Sequence, residues 1–251
     1  SCLTFCNCCD SCAKTTCPHC IRQLHCAKLW RAAVTAESII TAPDRELLFD
    51  QIADELELRG YAVLPVALPA ELAEQLLLRV IELGDGAFKP AGVGRQSDYQ
   101  QNRFVRSDEI RWFTAEDAAE AAYLEWMNAL REGMNRRLFL GLFDYECHFA
   151  RYAPGSFYRK HVDAFRGRSN RVLSTVFYLN PGWTAADGGQ LLIYGDRDEL
   201  TDSVIPLMGT LVVFLSEKVP HEVSAAKRLR HSIAGWFRVN TSLGPHIDPP
   251  A

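Results

Sequence analysis

The sequence predicts an α+β fold in which N-terminal helices support a β-sandwich or jelly roll. Three observations point there: apolar residues recur at helical spacing up to about residue 140, short strand-like runs follow, and turn residues separate those runs. Asp44 to Arg59 carries Leu47, Leu48, Ile52, Leu56 and Leu58 at roughly helical spacing, and Gly60 stops the helix. Tyr61 to Val66 reads as a strand. Pro69 then opens a second helix with Leu72, Leu76, Val80 and Leu83 on one face, closed by Gly84. Ala87 to Gln101, rich in Gly, Ser and polar residues, reads as a loop or long hairpin tip of the kind that borders binding sites. From Thr114, read as the N-cap, to Leu140 helix formers dominate, and Tyr123, Trp126, Met127, Leu130 and Met134 form a stripe that implies packing rather than function. The strand-like runs are Tyr145 to Tyr152, Val172 to Leu179, Gln190 to Tyr194, Thr210 to Leu215 and Ser232 to Val239. Pro154-Gly155, Asn180-Pro181-Gly182, Asp187-Gly188-Gly189, Pro206 and Gly209 punctuate them as an antiparallel architecture requires. No internal repeat is present.

Composition narrows the function classes. The 251 residues are 48% hydrophobic, enough for a sizeable core without disulfides, and a net charge of −4 gives no general attraction to nucleic acid. No apolar run approaches the roughly 18 to 20 residues needed to span a bilayer, and residues 1–20 lack a basic stretch followed by an apolar one. The expected setting is cytoplasmic, with no nucleic acid and no membrane as partner.

All cysteines but Cys147 fall in the first 26 residues, so residues 1–43 form a separate cysteine-rich leader. Cys9-x-x-Cys12 and Cys17-x-x-Cys20 have the spacing at which two thiolates share a soft ion, with His19, His25 and Cys26 as further ligands; zinc is the natural occupant. The second pair follows the first unusually closely, and an unstructured thiol-rich tail is the plainer alternative. In an oxidising compartment the same residues would read as disulfides.

The residues that carry chemistry lie in the strand region. In His161-Val162-Asp163 an extended backbone turns the imidazole and the carboxylate to one side, and His221 follows a strongly apolar strand far downstream. Two imidazoles and one carboxylate on one face of a metal leave three positions open, which suits Fe(II) sites that seat a chelating co-substrate together with O2. A bare His-x-Asp means little by itself, since a lone His is more often a core or surface residue. Arg230 supplies the further element: entering the last strand-like run, its guanidinium can pair two-pronged with a dicarboxylic acid whose other end chelates the metal.

These residues resemble the 2-oxoglutarate-dependent prolyl 4-hydroxylases, in particular the hypoxia-inducible-factor type and its bacterial relatives. The resemblance runs from about Asp50 to Asn240: Arg106-x-Asp108-x-x-x-Trp112, Tyr152-x-Pro154-Gly155 with Tyr158, His161-x-Asp163, Tyr178-Leu179-Asn180 with Trp183, Gly188-Gly189, His221-Glu222-Val223, Arg230 and Trp236. It implies a double-stranded β-helix (jelly roll), with residues 44–140 as a helical support region carrying a substrate-side loop and residues 141–251 as the catalytic core. It implies Fe(II) held by His161, Asp163 and His221, and 2-oxoglutarate held by Arg230 with Tyr178 on the distal carboxylate and Tyr152 near the chelating end. Arg106, Asp108 and Trp236 would shape the substrate groove. O2 is the oxidant, L-ascorbate the accessory reductant, and succinate and CO2 leave with the hydroxylated product. The implied substrate is a prolyl residue of a protein or peptide, a translation factor being the partner suggested by the bacterial relatives.

Several alternatives stand beside this. Tyr178 and Trp236 read alone are core aromatics, Arg106 with Asp108 is a surface ion pair worth little, and Arg159, Lys160, Arg166, Arg168 and Arg171 are a solvated rim. Ala234 departs from the resemblance, because a hydroxylated residue is expected there. The same centre also serves hydroxylation of another residue or of a free amino acid. A different class is a metal-binding sensor or interaction protein that uses the cysteine leader, with the jelly roll as scaffold.

Overall fold

The structure, a computed structural model, describes residues 44–92, 104–164 and 169–240. The cysteine leader, the loop tip at 93–103, Arg166 and Arg168 lie outside the described residues. Helix α1 (Arg45–Arg59) begins where the Asp44 carboxylate accepts the Glu46 N–H, and it ends at Gly60, whose φ of +81° is a left-handed value that a side chain would disfavour. It buries Leu48, Phe49, Ile52, Ala53 and Leu56. Leu47 and Leu58, expected on the buried face, are exposed at 66% and 82%, because Phe49 and Ala53 complete that stripe instead. Strand β1 (Tyr61–Leu64) and helix α2 (Ala70–Glu82) follow, the latter starting directly after Pro69.

Helix α3 (Ala118–Leu138) starts later than the sequence suggests. Asp117, not Thr114, is its N-cap, accepting from the Ala119 and Glu120 N–H groups at 2.9 and 3.2 Å. The Thr114 N–H is instead drawn to the fully buried Glu120 carboxylate, which also receives Arg79 and Arg111. This cluster ties the start of α3 to α2 and to the sheet.

Two antiparallel sheets carry the rest. The seven-stranded sheet has the order β1-β9-β6-β11-β4-β3-β2, built from β9 (Leu211–Leu215), β6 (Arg171–Tyr178), β11 (Arg230–Val239), β4 (Leu142–Tyr152), β3 (Glu109–Trp112) and β2 (Lys89–Pro90). The four-stranded sheet has the order β5-β10-β7-β8, from β5 (Tyr158–His161), β10 (His221–Val223), β7 (Leu191–Tyr194) and β8 (Leu200–Val204). This is the expected jelly roll with supporting helices. On the larger sheet, Phe149 and Phe177 meet Phe113 and Tyr123 of the α3 region, ring centroids lying 4.5 to 6.0 Å apart. Burying each such ring stabilises by about 2 kcal/mol. The opposite face, through Glu146, His148, Ala150 and Tyr152 of β4, lines a cavity of about 1130 Å³.

Strands β3, β5, β8 and β10 were not expected from the sequence. Each is short, and most mix charged with apolar residues (EIRW, YRKH, LTDSV, HEV), so no alternation long enough to read is present.

Candidate active site

Both imidazoles of the suspected metal site come from neighbouring strands of the smaller sheet, where His161 of β5 stands opposite His221 of β10. Asp163 lies just beyond β5, in a bend rather than in the extended segment expected. One ligand atom from each of His161, Asp163 and His221 falls within 4.8 Å of the others. Nε2 of His161 and of His221 face the same Asp163 Oδ1, at 3.4 and 3.8 Å. Each ring is fixed from behind by backbone: Nδ1 of His161 donates to the Arg159 carbonyl at 2.7 Å, and Nδ1 of His221 to the Val219 carbonyl at 3.0 Å. Donation to a carbonyl places the ring proton on Nδ1 and leaves the Nε2 lone pair for a metal.

Electrostatics agree with that role. Burial, and then the neighbouring His161, pushes His221 down to about 4, so its ring is neutral near pH 7. Burial alone would raise the Asp163 carboxyl, but His221, His161 and the Ser174 hydroxyl outweigh it and hold it well below the usual carboxylate range. Two imidazole nitrogens and one anionic oxygen form a donor set that fits Fe(II).

Arg230 opens β11 at the same cavity and is 1% exposed. Nε donates to the Gly189 carbonyl at 2.9 Å and Nη1 to Ser232 Oγ at 3.2 Å, while the guanidinium lies 4.7 and 5.0 Å from the ring centres of Tyr152 and Tyr178. Among the described residues it forms no ion pair. Among the same residues the buried Tyr178 hydroxyl has no hydrogen-bond partner. Burial raises Tyr178 to about 12, against the opposing pull of Arg230, so the hydroxyl stays protonated and able to donate. An unpaired buried cation beside an orphaned hydroxyl is costly unless a ligand answers both, and a carboxylate does.

Arg106 and Asp108 form a buried pair rather than a surface one. Asp108 is 2% exposed and takes Arg106 in two prongs at 2.7 and 2.6 Å. Burial lowers the Arg106 guanidinium, yet Asp108 more than reverses this and holds it above its usual value. Arg106 covers the Tyr158 ring at 4.4 Å, and Tyr158 in turn stacks on His161 at 3.6 Å with planes 17° apart. The pair therefore braces a suspected metal ligand. Trp236, expected in the substrate groove, does line the cavity, and its indole N–H also donates to Asp163 Oδ2 at 3.0 Å.

Sequence reasoning gave no role at the site to three positions, although it had marked Gly189 as a turn residue and part of the resemblance. Gly189 supplies the carbonyl that aims Arg230 and passes so close that a Cβ there would come within 2.9 Å of Arg230 Cδ. Ser174 sits behind Asp163, and His148 lines the cavity beside Trp236. A pair of glycines was the only available signal for the first, while Ser174 and His148 lie within apolar runs that advertise packing.

Comparison with known proteins gives a consistent picture. Residues 147–238 match the model of the 2OG-Fe(II) oxygenase superfamily. A prolyl-4-hydroxylase from Pseudomonas putida is 40% identical, with the alignment covering 76% of this chain and 98% of that one at a TM-score of 0.69. A prolyl hydroxylase from Trichoplax adhaerens, solved with a hypoxia-inducible-factor oxygen-degradation-domain peptide, shares the fold at 24% identity and a TM-score of 0.69, over 80% of this chain and 94% of that one. A hypoxia-inducible factor prolyl hydroxylase from Caenorhabditis elegans is 28% identical over 164 residues, which is 61% of this chain and 22% of that protein. A prolyl 3-hydroxylase from Xenopus laevis is 34% identical over 86 residues, 31% of this chain and 16% of that protein. The chain thus spans less than a quarter of the length of these curated relatives.

Proposed function

This chain belongs to the 2OG-Fe(II) oxygenase superfamily, and within it to the prolyl 4-hydroxylase family; from that premise we propose that it hydroxylates a prolyl residue of a protein or peptide. The observation that carries this reading is the pairing of the His161, Asp163 and His221 cluster with a buried Arg230 that has no ion-pair partner among the described residues. His161, Asp163 and His221 would hold Fe(II), while Arg230 and Tyr178 would hold the distal carboxylate of 2-oxoglutarate, with Tyr152 toward its other end. The bound metal and co-substrate supply O2 activation and oxidative decarboxylation to succinate and CO2, with one oxygen atom passing to the substrate as hydroxyl.

The chain's own work is geometric. Backbone carbonyls fix both imidazoles, the Trp236 indole orients Asp163, and the Arg106–Asp108 pair holds Tyr158 against His161. Arg230 and Tyr178 then fix one end of the co-substrate, so that its chelating end is presented at one angle. The cavity walls mix apolar and aromatic side chains with charged ones, so polar contacts there can orient what enters.

Finer assignments extend the reading. L-ascorbate serves as reductant in the assay, a translation factor is the partner to test first, and zinc is the occupant proposed for the leader thiolates. The proposed setting is cytoplasmic; no helix among the described residues is long and apolar enough to cross a membrane. The test is succinate formation from 2-oxoglutarate together with a +16 Da shift on a proline-containing peptide. Both should require Fe(II) and vanish in His161→Ala. Succinate formation that survives that substitution would end the proposal.

A further inference from the structure

The aromatic wall of the cavity contains one polar group that the chemistry above does not use. His148 lies on the cavity face of β4, its register partners being Trp112 on β3 and Ala234 on β11. Its ring meets Trp112 edge-on at 5.0 Å and Trp236 at 5.5 Å, and the residue is 2% exposed. Burial, followed by Arg106, pushes it down to about 4, so the ring is neutral near pH 7. Nδ1 lies 3.3 Å from the Phe149 carbonyl, and an imidazole nitrogen can face a carbonyl only as a donor, so the proton sits on Nδ1. Nε2 is then a bare acceptor, and it has no hydrogen-bond partner among the described residues.

Packing alone does not account for this ring. Met or Leu would fill the same slot between two indoles, whereas His148 adds an acceptor to the wall of the cavity. Nor does the co-substrate answer it. The carboxylates of 2-oxoglutarate, like its ketone, only accept hydrogen bonds, so an accepting Nε2 repels them. Ala234, directly across the register, brings no hydroxyl that could serve. A donor on the molecule that enters the cleft can take this acceptor in place of water.

The geometry points to His148 as a specificity-determining residue that accepts a hydrogen bond from the substrate, beside the target ring and between Trp112 and Trp236. The inference rests on the prolyl hydroxylase reading. A prolyl nitrogen within a chain carries no hydrogen, so the donor must come from a flanking residue, as a backbone amide or a side-chain hydroxyl or amide. The site thereby selects peptides by what flanks the proline.

A cycle between protein and peptide tests this. A peptide turned over by the wild-type enzyme is taken from a randomised library of proline-centred peptides. It is then resynthesised with each flanking N–H methylated in turn, and with each polar side chain replaced by alanine. Binding is followed by quenching of Trp112 and Trp236 fluorescence and turnover by the +16 Da shift. Removing one particular donor should raise the wild-type KM about tenfold. In His148→Met the unmodified peptide should already show that rise, and the modified peptide should add less than twofold. His148→Gln, which keeps an acceptor, should recover part of the discrimination, and thermal melting checks that each variant folds. Equal sensitivity of wild type and His148→Met to every modification would overturn the assignment, as would a matching rise in the KM for 2-oxoglutarate. If 2-oxoglutarate is consumed but no proline peptide binds or is modified, the prolyl reading fails and takes this inference with it.

Discussion

The indole N–H of Trp236 donates to Asp163 Oδ2 at 3.0 Å, while Asp163 Oδ1 faces Nε2 of both His161 and His221. One carboxylate oxygen is thereby held by the protein, and the other is left for the metal proposed above. Trp236 is itself pressed by the Arg171 guanidinium, 3.6 Å above its ring. Trp236→Phe keeps an aromatic ring in place but removes the donor together with the pyrrole half of the indole. Iron affinity, measured by metal titration, should fall about 10- to 100-fold, as for other partners that orient a metal ligand. Unchanged affinity would mean that the bond is incidental.

The role proposed for Arg230 implies a trade of stability for function. Its guanidinium is 1% exposed and meets neutral partners only among the described residues. Arg230→Met should therefore melt at the same temperature as the wild type or higher when no ligand is present, because replacing a buried, unanswered charge by an apolar side chain is often neutral or stabilising. Added Mn(II) and 2-oxoglutarate at about 100 times Kd should raise the wild-type melting temperature by roughly 5 to 10 °C. The variant should show no rise with 2-oxoglutarate. A variant markedly less stable without ligand would show that Arg230 is structural.

The three helices and the longest strands were legible in the chain because long periodic patterns survive tertiary packing, whereas β1, β2 and β3 run between those helices and join the larger sheet. The meeting of His161, Asp163, His221 and Arg230 at one cavity was foreseen too, from the His-x-Asp spacing and the family resemblance rather than from any local pattern. What escaped reading depends on partners distant in sequence. Asp117 displaces Thr114 as the cap because Glu120 captures the Thr114 N–H, and that capture depends on Arg79 and Arg111 arriving from α2 and β3. Arg106 and Asp108, expected at the substrate groove with a surface ion pair as the alternative, do line the cavity, but nothing local shows that Arg106 will lie over Tyr158 and Asp108 be buried. Strands as short as His221–Val223 exist only because β5 and β7 flank them.

Gly189 offers a test of how Arg230 is aimed. Its φ is +69°, and an added Cβ would lie 2.9 Å from Arg230 Cδ and 3.4 Å from Nε. Gly189→Ala should lower stability by about 1 to 2 kcal/mol through the left-handed backbone. It should also raise the KM for 2-oxoglutarate several-fold as the guanidinium shifts. Gly188→Ala should be the more damaging substitution, since its Cβ would collide with the Ala225 carbonyl oxygen, which cannot swing aside. Urea melts and co-substrate titrations on both variants check the order. Equal 2-oxoglutarate KM values for Gly189→Ala and wild type would show that the Gly189 carbonyl does not aim the guanidinium.

His231 makes acid sensitivity measurable away from the metal. It neighbours Arg230 on β11 but lies on the face turned from the cavity, and burial, then Arg151 and Arg230, pushes it down to about 4 from 6.5. A folded state with the lower pKa binds fewer protons than the unfolded chain, so the stability tied to this ring is complete above about pH 6.5 and is lost as pH falls toward 4. At pH 5.5 the loss from this one residue should be about 1.4 kcal/mol. His148 carries a shift of the same sign and the carboxylates add their own terms, so the whole curve is not diagnostic. The difference between wild type and His231→Leu is. Urea unfolding at pH 7.5 and pH 5.5 should show the wild type losing about 1.4 kcal/mol more than the variant, and equal losses would mean that His231 is protonated in the folded protein.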